Sequence, residues 1–266
     1  MFHAKIRVVM TVEIETTLCV IHDDPVGIME NISRVRALGP YRFTPRGTQT
    51  LQDVYYDTPS RILSSRGIAV RTRGHGATAV FCIKQDEQVD ASGTAVRDEI
   101  EMPWSRQCLD HIAHILHKVA YGLVEVPCRT DDPVEGLACL GLSPIQSRRT
   151  VRLTLDAGQE GDPCLGTLAK LALDRVCYRF SGSSILHHEI EIEAACPESL
   201  EHVRELSILL MNLHPDALRP WRHNKLVTGF ALERLLAEGS LAITPGRYNS
   251  LAGPAYRAIE TILHNA

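Results

Sequence analysis

The sequence predicts an α+β protein whose β-strands close into a barrel, with helices packed outside it. Several strand-like segments carry charged side chains at every second position and apolar side chains between them, and amphipathic helices separate these segments. For any single strand, an ordinary sheet with one solvated face explains the alternation equally well. The repetition of charge on at least four strands favours a barrel with a charged lumen, because a solvated face usually also contains Thr, Ser and Gln.

The composition excludes several classes of protein. The chain has 266 residues, of which 44% are hydrophobic and 23% charged, as is typical of globular proteins. Its 32 acidic and 28 basic side chains give a formal charge of -4, and only 5% of residues are aromatic. No global positive field or stacking surface is available for nucleic acid or anionic lipid. We therefore expect no DNA partner and no membrane partner.

The cysteines and the first residues predict a cytoplasmic protein with reduced thiols. Eight cysteines are scattered without a C-x-x-C pair, which argues against a zinc ribbon or a thioredoxin-type site. The first residues turn acidic at Glu13 without the long apolar segment of an export signal. Cys82 and Cys177 lie in apolar segments and are predicted to be core residues.

The first half of the chain is predicted to be mostly strands. Helical spacing of apolar residues predicts one helix over 25–38, ending before Gly39-Pro40, and the turn sequence Asp57-Thr58-Pro59 ends the second strand. Gly74-His75-Gly76 indicates a hairpin turn, and 86–93 a polar loop. The predicted strands are Val12–Leu18, Gln49–Tyr56, Ile68–Arg73, Thr78–Gln85 and Val96–Met102.

The second half mixes strands and helices. Residues 109–123 form the strongest amphipathic helix, with His111, His114 and His117 on its polar side rather than in a metal site. Residues 124–144 contain three prolines and are predicted to be loop. His187 and His188 are expected at the start of an acidic strand. The remaining predicted strands are 148–156, 168–174, 177–180 and 189–193, and the remaining helices are 197–213, 224–238 and 254–264.

The charged strand faces indicate a ligand that carries both negative and positive charges. They comprise Glu13 and Glu15; Arg71 and Arg73; Arg97, Glu99 and Glu101; Arg148 and Arg152; and Glu189, Glu191 and Glu193. A buried charge without compensation costs several kcal/mol. A polyphosphate with a divalent metal suits such walls, because Arg and Lys bind phosphate oxygens while carboxylates bind Mg²⁺ or Mn²⁺.

A set of short motifs resembles the CYTH domain of the triphosphate tunnel metalloenzymes. The resemblance spans Thr11 to Leu235, which predicts a CYTH domain over 11–235 and a C-terminal helical extension over 236–266. The motifs are Glu13-x-Glu15, Tyr55-Tyr56-Asp57-Thr58-Pro59, Gly67-Ile68-Ala69-Val70-Arg71-Thr72-Arg73, Ile83-Lys84-Gln85, Arg97-Asp98-Glu99-Ile100-Glu101, Leu173-Asp174, Glu189-Ile190-Glu191-Ile192-Glu193 and Asn224-Lys225-Leu226-Val227-Thr228-Gly229-Phe230.

The resemblance implies an eight-stranded antiparallel barrel that binds a triphosphate and a divalent metal, Mg²⁺ or Mn²⁺. The implied catalytic residues are Glu13, Glu15 and Lys84. The implied metal ligands are Glu13, Glu15, Glu99 or Glu101, Asp174, Glu189, Glu191 and Glu193, and which two of the last three reach the metal is left open. The implied substrate-binding residues are Arg71, Arg73, Lys84, Arg97, Arg148, Lys225 and, by its parity with Arg148, Arg152.

The expected activity is metal-dependent hydrolysis of a triphosphate, with inorganic triphosphate as the first substrate. Class IV adenylate cyclase and thiamine triphosphatase are alternatives, and a homodimer is left open. The family pattern ExExK has Thr17 at its third position here, and Thr228 stands where many relatives carry Arg. The first strand therefore lacks a cation, so a non-catalytic module that binds polyphosphate or nucleotide is the alternative from another class.

Overall fold

A computed structural model of the chain describes residues 9–74, 78–119, 130, 132–159, 166–245 and 249–264. The strands are β1 (Val9–Val20), β2 (Ala37–Leu38), β3 (Tyr41–Asp57), β4 (Ala69–Arg73), β5 (Val80–Val89), β6 (Thr94–Pro103), β7 (Ser143–Gln159), β8 (Ala169–Phe180), β9 (Ser183–Ala194), β10 (Leu218–Pro220), β11 (Ile243–Thr244) and β12 (Asn249–Leu251). The helices are α1 (Pro25–Arg34), α2 (Arg106–Val119), α3 (Pro133–Cys139), α4 (Leu200–Leu213), α5 (Lys225–Ala237) and α6 (Gly253–His264).

Eight of these strands form a closed antiparallel barrel, which confirms the predicted fold class. Hydrogen-bonded neighbours follow the order β1, β6, β5, β4, β3, β7, β8, β9, and β9 pairs again with β1. The short strands are additions to this ring: β10 pairs with β1, β2 with β3, and β11 with β12. β12 also pairs with β9 in parallel, so the segment after α5 adds strand as well as helix.

The chain divides into two compact units. Unit 1 comprises Met1–Val12, Leu51–Glu87 and Arg97–Arg148. Unit 2 comprises Glu13–Thr50, Gln88–Val96 and Arg149–Ala266. Each unit has its own buried apolar side chains.

The core of unit 1 lies between strands and the helices α2 and α3. Val70, Phe81 and Ile83 come from the strands, while Ile112 and Leu116 come from α2 at helical spacing. His114 and His117 are exposed on the opposite side of α2, in agreement with the amphipathic pattern. The strand residues that alternate with this core are therefore free to present polar side chains on the other face.

Unit 2 has apolar side chains on both faces of its strands. On one face, Leu173, Ile190 and Ile192 pack with α1 and α4, with Ile32 and Leu206 among the buried contacts. The opposite strand face carries Asp174 and Glu189, because strand residues alternate in direction.

The helices α5 and α6 pack on this second, charged face. Val176 and Ile185 lie on it two and four residues from Asp174 and Glu189, and they form a cluster with Leu232, Tyr256 and Ile259. The C-terminal helix therefore covers the same face as the carboxylates, a contact that the sequence did not reveal.

Polar side chains define where several elements begin. Asp24 accepts a hydrogen bond from Gly27 N at 3.0 Å and so caps α1, and Asn224 accepts one from Val227 N at 3.1 Å and caps α5. The predicted turn after β3 is confirmed. The buried Asp57 carboxylate accepts hydrogen bonds from the backbone N–H groups of Thr58, Leu63 and Ser64.

Several predicted strand and helix boundaries are wrong; β3, for example, begins at Tyr41 and not at Gln49. Ala37 and Leu38 do not continue α1 but form β2, which pairs with the start of β3 across Gly39-Pro40. β5 continues to Val89, because the polar residues after Gln85 occupy exposed strand positions rather than a loop. β8 is one strand instead of two, since each residue of Ala169–Phe180 has a partner in β9.

The segment predicted as loop over 124–144 also needs correction. It contains α3, whose first backbone N–H groups are capped by Asp132, and the start of β7. Pro133 occupies the first turn of α3, where a missing N–H group is tolerated. Residues 75–77 and 120–129, which include most of the predicted hairpin turn and the predicted end of α2, lie outside the described residues.

Two predictions about histidine and cysteine are also wrong. His187 and His188 lie inside β9 and are buried, rather than standing at its start. Burial, together with the neighbouring His187 and Arg175, lowers the pKa of His188 to about 4. Cys139 is disulfide-bonded, so the expectation that all thiols are reduced does not hold for it, although Cys19, Cys82, Cys108, Cys177 and Cys196 are free. Scattered cysteine spacing did not reveal this disulfide.

Within the described ranges, no helix combines the length and the apolar character needed to cross a membrane.

We expect Leu206→Ala to lower the free energy of unfolding by about 2–5 kcal/mol, because it would leave a cavity between α4 and the strands. Leu206 is fully buried at 0% exposure, whereas Ile208 on the same helix is 55% exposed. Ile208→Ala is therefore the matched control, and its effect should stay within about 0.5 kcal/mol. Chemical denaturation of both variants measures the difference, and equal effects would contradict the described orientation of α4.

Candidate functional site

Unit 1 carries a cluster of paired charges on the face opposite its core. Strand register places Asp53 opposite Arg73, Tyr55 opposite Arg71, and Arg71 opposite Cys82. Residues directly opposite each other in antiparallel strands point to the same face, so these side chains are neighbours. We define the unit 1 cluster as Asp53, Tyr55, Arg71, Arg73, Cys82, Lys84, Glu99, Glu101 and Arg148.

Asp53 is the anionic centre of this cluster. Arg73 binds it with two hydrogen bonds, Nε to Oδ1 at 2.8 Å and Nη2 to Oδ2 at 3.2 Å. Arg148 Nε lies 3.8 Å from Oδ2, and Arg148 also donates to the Tyr55 hydroxyl. Burial alone would raise the pKa of the Asp53 carboxyl, but Arg71, Arg73 and Arg148 outweigh it and hold that pKa well below its usual range.

Arg71 is buried, and its contacts with carboxylates are longer than those of Arg73. Its Nη2 lies 3.6 Å from Glu99 Oε1 and 3.5 Å from Glu101 Oε1, and Lys84 Nζ lies 3.3 Å from the same Glu99 oxygen. The Nε of Arg71 is buried and has no hydrogen-bond acceptor within the described part of the chain. A buried guanidinium with an unused donor can accept an anionic ligand without losing an existing hydrogen bond.

Cys82 is buried, as its apolar sequence context predicts, and its thiol is part of the unit 1 cluster. Its thiol lies 3.0 Å from Glu99 Oε1 and donates to it. Burial raises the pKa of Cys82 to about 12, so the thiol keeps its proton. Because Cys82 alternates with the apolar residues Phe81 and Ile83, its thiol points to the charged face of the strand. Cys177 is only partly buried.

Arg97 makes a separate ion pair in unit 1. It is buried, and its Nη1 lies 2.7 Å from Glu87 Oε1. Glu87 is not among the residues that the sequence predicts for the site, since it falls in the segment predicted as loop.

Unit 2 carries the second cluster, in which three carboxylates meet. Asp174 lies directly opposite Glu189 in the β8–β9 ladder, and Glu191 follows on the same face of β9. One carboxylate oxygen from each of the three lies within 4.8 Å of the others. We define the unit 2 cluster as Asp174, Glu189 and Glu191 with the cations Arg152 and Lys225.

The two cations hold the three carboxylates together. Lys225 Nζ lies 3.2 Å from Asp174 Oδ2 and makes shorter contacts with Glu189 and Glu191. Arg152 binds Asp174 with two hydrogen bonds, of 2.8 and 2.6 Å, and also contacts Glu191. Because Asn224 caps α5, Lys225 is the first residue of the helix, directly over the carboxylates.

The protonation of this cluster reflects burial and mutual charge. Burial raises the pKa of Asp174 above its usual value, against the opposing effect of Lys225 and Arg152. Burial would also raise the pKa of Glu189, but Lys225 and His187 outweigh it and lower that pKa. Burial would lower the pKa of Lys225, yet the three carboxylates raise it well above its usual value. Lys225 therefore stays charged at neutral pH.

The remaining predicted carboxylates lie along the same faces but outside the three-carboxylate group. Glu15 is directly opposite Glu193 in the β1–β9 ladder, and Glu13 precedes it on the same face of β1. Thr17 stands directly opposite Glu191, whose carboxylate contacts both Arg152 and Lys225. The cation missing from the first strand is thus replaced at Glu191 by side chains of β7 and α5.

Thr228, the second departure, is fully buried and accepts a hydrogen bond from Trp221 Nε1 at 3.1 Å. An arginine at this position would have to displace Trp221. The threonine therefore fits a local packing that is built around that tryptophan.

The sequence matches the family model of the CYTH domain over residues 30–216, which is more than half of the chain. The protein belongs to the CYTH family. The match lies inside the CYTH domain predicted over 11–235, and β12 and α6 follow it in the chain.

The solved structure of HpAC1 agrees with the fold of this CYTH protein. HpAC1 from Hippeastrum, a candidate adenylyl cyclase with a dominant triphosphatase activity, has a TM-score of 0.50 at 18% identity, over 86% of this chain and 97% of its own. A candidate adenylate cyclase from Bacillus halodurans has a TM-score of 0.48 at 17% identity, over 82% of this chain and 96% of its own. No curated protein sequence gives a significant match.

The unit 2 cluster of this CYTH protein fits a divalent cation. Its donors are carboxylate oxygens, which Mg²⁺ and Mn²⁺ both prefer. Glu189 Oε1 is buried, contacts Lys225, and accepts no hydrogen bond from the described residues. The unit 1 group of Cys82, Glu99 and Glu101 is the other set of potential ligands found among the described residues, but one of its three donors is a protonated thiol, which suits Mg²⁺ or Mn²⁺ less well than a third carboxylate.

Several residues of these clusters are not among the predicted site residues. Asp53 could have been found, since it lies two residues before Tyr55 on the same strand face as a predicted motif residue. Tyr256 lies outside the two defined clusters and reaches Glu189 through His187, and no sequence signal indicated this contact, because Tyr256 and His187 are 69 positions apart.

We expect Asp53→Asn to destabilise unit 1 by about 3–5 kcal/mol at pH 7, because it leaves buried arginines without their carboxylate. The folded-state pKa of Asp53 is depressed, so its contribution is fully present above the unfolded value of about 4 and is lost as pH falls towards the folded value. The variant should therefore lose less stability than wild type between about pH 5 and pH 3.

Urea denaturation across this pH range measures the effect of Asp53→Asn. Asp110→Asn, at an exposed position on α2, is the control and should follow wild type. A pH dependence of Asp53→Asn identical to that of wild type would contradict the depressed pKa.

Proposed function

We propose that this CYTH protein is a divalent-metal-dependent triphosphatase, with inorganic triphosphate as its substrate. The observation that carries the proposal is a difference between the two clusters. The unit 1 cluster buries a guanidinium, Arg71, with an unused N–H donor, which suits a phosphate oxygen. The unit 2 cluster brings three carboxylates together around the positively charged ammonium group of Lys225. Convergent carboxylates of this kind suit a divalent metal.

Inorganic triphosphate is preferred over organic triphosphates because it needs only charge to bind it. The described contacts in both clusters are ion pairs and charge-assisted hydrogen bonds, and Tyr55, the aromatic side chain of the unit 1 cluster, already packs against Arg148 at 4.3 Å from the guanidinium carbon to the ring centre. A base or a thiazole ring would need a free aromatic or apolar surface.

In this proposal the residues of the chain divide the work of hydrolysis. Asp174, Glu189 and Glu191 would hold the divalent cation, which supplies a Lewis acid that offsets phosphate charge and activates water. Arg71 and Lys84 would bind phosphate oxygens and stabilise the negative charge that grows on the leaving phosphate. Glu13 or Glu15 would orient the attacking water and accept its proton.

We expect the protein to release phosphate from inorganic triphosphate in the presence of Mg²⁺ or Mn²⁺, and Glu191→Gln to lower kcat/KM at least about 100-fold. The reason is that Glu191 contacts both Arg152 and Lys225 and would ligate the metal, so its loss removes interactions that are made in the transition state. Glu30→Gln removes an exposed carboxylate of α1 and should leave kcat/KM unchanged.

The assay measures phosphate, pyrophosphate and cyclic AMP from inorganic triphosphate, ATP and thiamine triphosphate in parallel. Cyclic AMP with pyrophosphate from ATP would replace the proposal by an adenylate cyclase, and faster turnover of thiamine triphosphate would change the substrate. Tight triphosphate binding without turnover of any substrate would show a binding module instead.

We expect Thr17→Lys to change kcat/KM less than about threefold. Thr17 lies opposite Glu191, where Arg152 and Lys225 already supply two cations, so a third adds little charge-assisted binding. Thr17→Val tests the hydroxyl separately. A gain of more than tenfold for Thr17→Lys, measured in the same phosphate-release assay, would show that the missing lysine limits the activity.

A further inference from the structure

A hydrogen-bond chain connects the C-terminal helix α6 with the unit 2 cluster. The Tyr256 hydroxyl lies 3.1 Å from His187 Nδ1, and His187 Nε2 lies 2.8 Å from Glu189 Oε2. All three side chains are buried, with exposures of 1%, 0% and 1%. Buried polar groups are rarely left without partners, and here each group satisfies the next.

The donor and acceptor atoms of the three side chains determine which group donates each hydrogen bond. The ionised Glu189 carboxylate can only accept, so His187 Nε2–H donates to Oε2. In the tautomer of His187 that carries its proton on Nε2, Nδ1 accepts the hydrogen bond that the Tyr256 hydroxyl donates. These roles are assigned from the hydrogen-bond network. Glu189 is thus held through Oε2, while Oε1 remains directed at Lys225.

Tyr256 itself is held firmly in place by aromatic packing. Its ring meets Trp221 edge to face at a centroid distance of 5.5 Å, and the His187 ring lies 5.6 Å away. Trp221 is in turn tied to α5 by its hydrogen bond to Thr228. The hydroxyl therefore reaches His187 from a rigid support, and α5, which carries Lys225, shares that support.

We propose that Tyr256 is a positioning residue for the unit 2 cluster: acting through His187, it orients the Glu189 carboxylate towards the cation that the cluster binds. Residues that hydrogen-bond to metal ligands in this way typically change metal affinity or activity 10–100-fold when removed. Tyr256 lies after residue 216, where the match to the CYTH family model ends. The C-terminal helix is therefore part of the site and not only a cover for the strands.

The proposal rests on the proposed function for its effect on catalysis, but metal binding tests it without turnover. Mn²⁺ titration of the full chain, followed by electron paramagnetic resonance, measures the dissociation constant directly. Wild type should bind Mn²⁺, and Glu189→Gln should weaken binding, which locates the ion at the unit 2 cluster. Tyr256→Phe, which keeps the ring and loses only the hydroxyl, should raise the Mn²⁺ dissociation constant about tenfold.

The control is another buried tyrosine in the same unit that also bonds a histidine and a carboxylate. The Tyr41 hydroxyl lies 2.9 Å from His202 Nδ1 and donates to Glu205 Oε2 at 2.6 Å, away from the metal-binding carboxylates. Tyr41→Phe should leave the Mn²⁺ dissociation constant within twofold of wild type. Thermal denaturation of both variants shows whether they are equally folded.

A second comparison tests whether Tyr256 acts through His187 and does not depend on the stability of Tyr256→Phe alone. His187→Gln keeps an amide that can donate to Glu189 but has no imidazole for Tyr256 to orient. In that background Tyr256→Phe should change the Mn²⁺ dissociation constant less than twofold. A purely structural tyrosine would give the same tenfold effect in both backgrounds.

The outcomes separate this proposal from the proposed function. Tenfold weaker Mn²⁺ binding by Tyr256→Phe, together with no triphosphate turnover by wild type, would support the positioning role and remove the triphosphatase. Unchanged Mn²⁺ affinity in Tyr256→Phe, an equal effect of Tyr41→Phe, or no Mn²⁺ binding by wild type would each overturn the positioning role.

Discussion

The arrangement of unit 2 depends on the electrostatic attraction between three buried carboxylates and Lys225. Asp174, Glu189 and Glu191 converge because neighbouring strand positions place them on one face, and without cations their mutual repulsion would destabilise the ionised carboxylates. Lys225 and Arg152 offset that repulsion. The cap of α5, the docking of α6 and the packing around Trp221 all serve to keep the ammonium group above these oxygens.

The unit 1 cluster has an excess of positive charge, where the unit 2 cluster has an excess of negative charge. Arg71, Arg73 and Arg148 converge on the buried Asp53, so there the cations are in excess and a carboxylate keeps them together. An excess of buried guanidinium groups favours an anion, while an excess of buried carboxylates favours a cation. Two clusters of opposite excess charge explain how a chain with a formal charge of -4 can present strongly charged interior faces without a large net field.

The sequence predicted the faces of the strands better than their contacts. Alternation alone was sufficient to place Glu189 and Glu191 on one side and Arg71 and Arg73 on one side, because the direction of a strand side chain depends only on parity. Parity does not determine which oxygen meets which nitrogen, and so Asp53 and the grouping of Asp174 with two of the three β9 glutamates came only from strand register.

The wrong predictions of secondary structure have one common cause. The pairing of strands in the folded protein outweighed the amino-acid composition of each segment. The polar residues that suggested a loop after Gln85 are tolerated in an exposed strand end, and the apparent break in β8 disappears because β9 pairs with it throughout. The contact of Tyr256 with His187 could not be predicted, since no periodicity connects a helix residue with a strand residue 69 positions before it.

The position of Tyr256 after every barrel strand has a consequence for synthesis on the ribosome. All barrel strands, and the carboxylates that they carry, emerge before residue 256, and a growing chain can begin to fold domain by domain. Until α6 leaves the exit tunnel, Glu189 has Lys225 as a partner but lacks the full hydrogen-bond chain that orients it. The nascent barrel would therefore pass through a stage in which its strands are present and its carboxylate cluster still lacks the contact from α6.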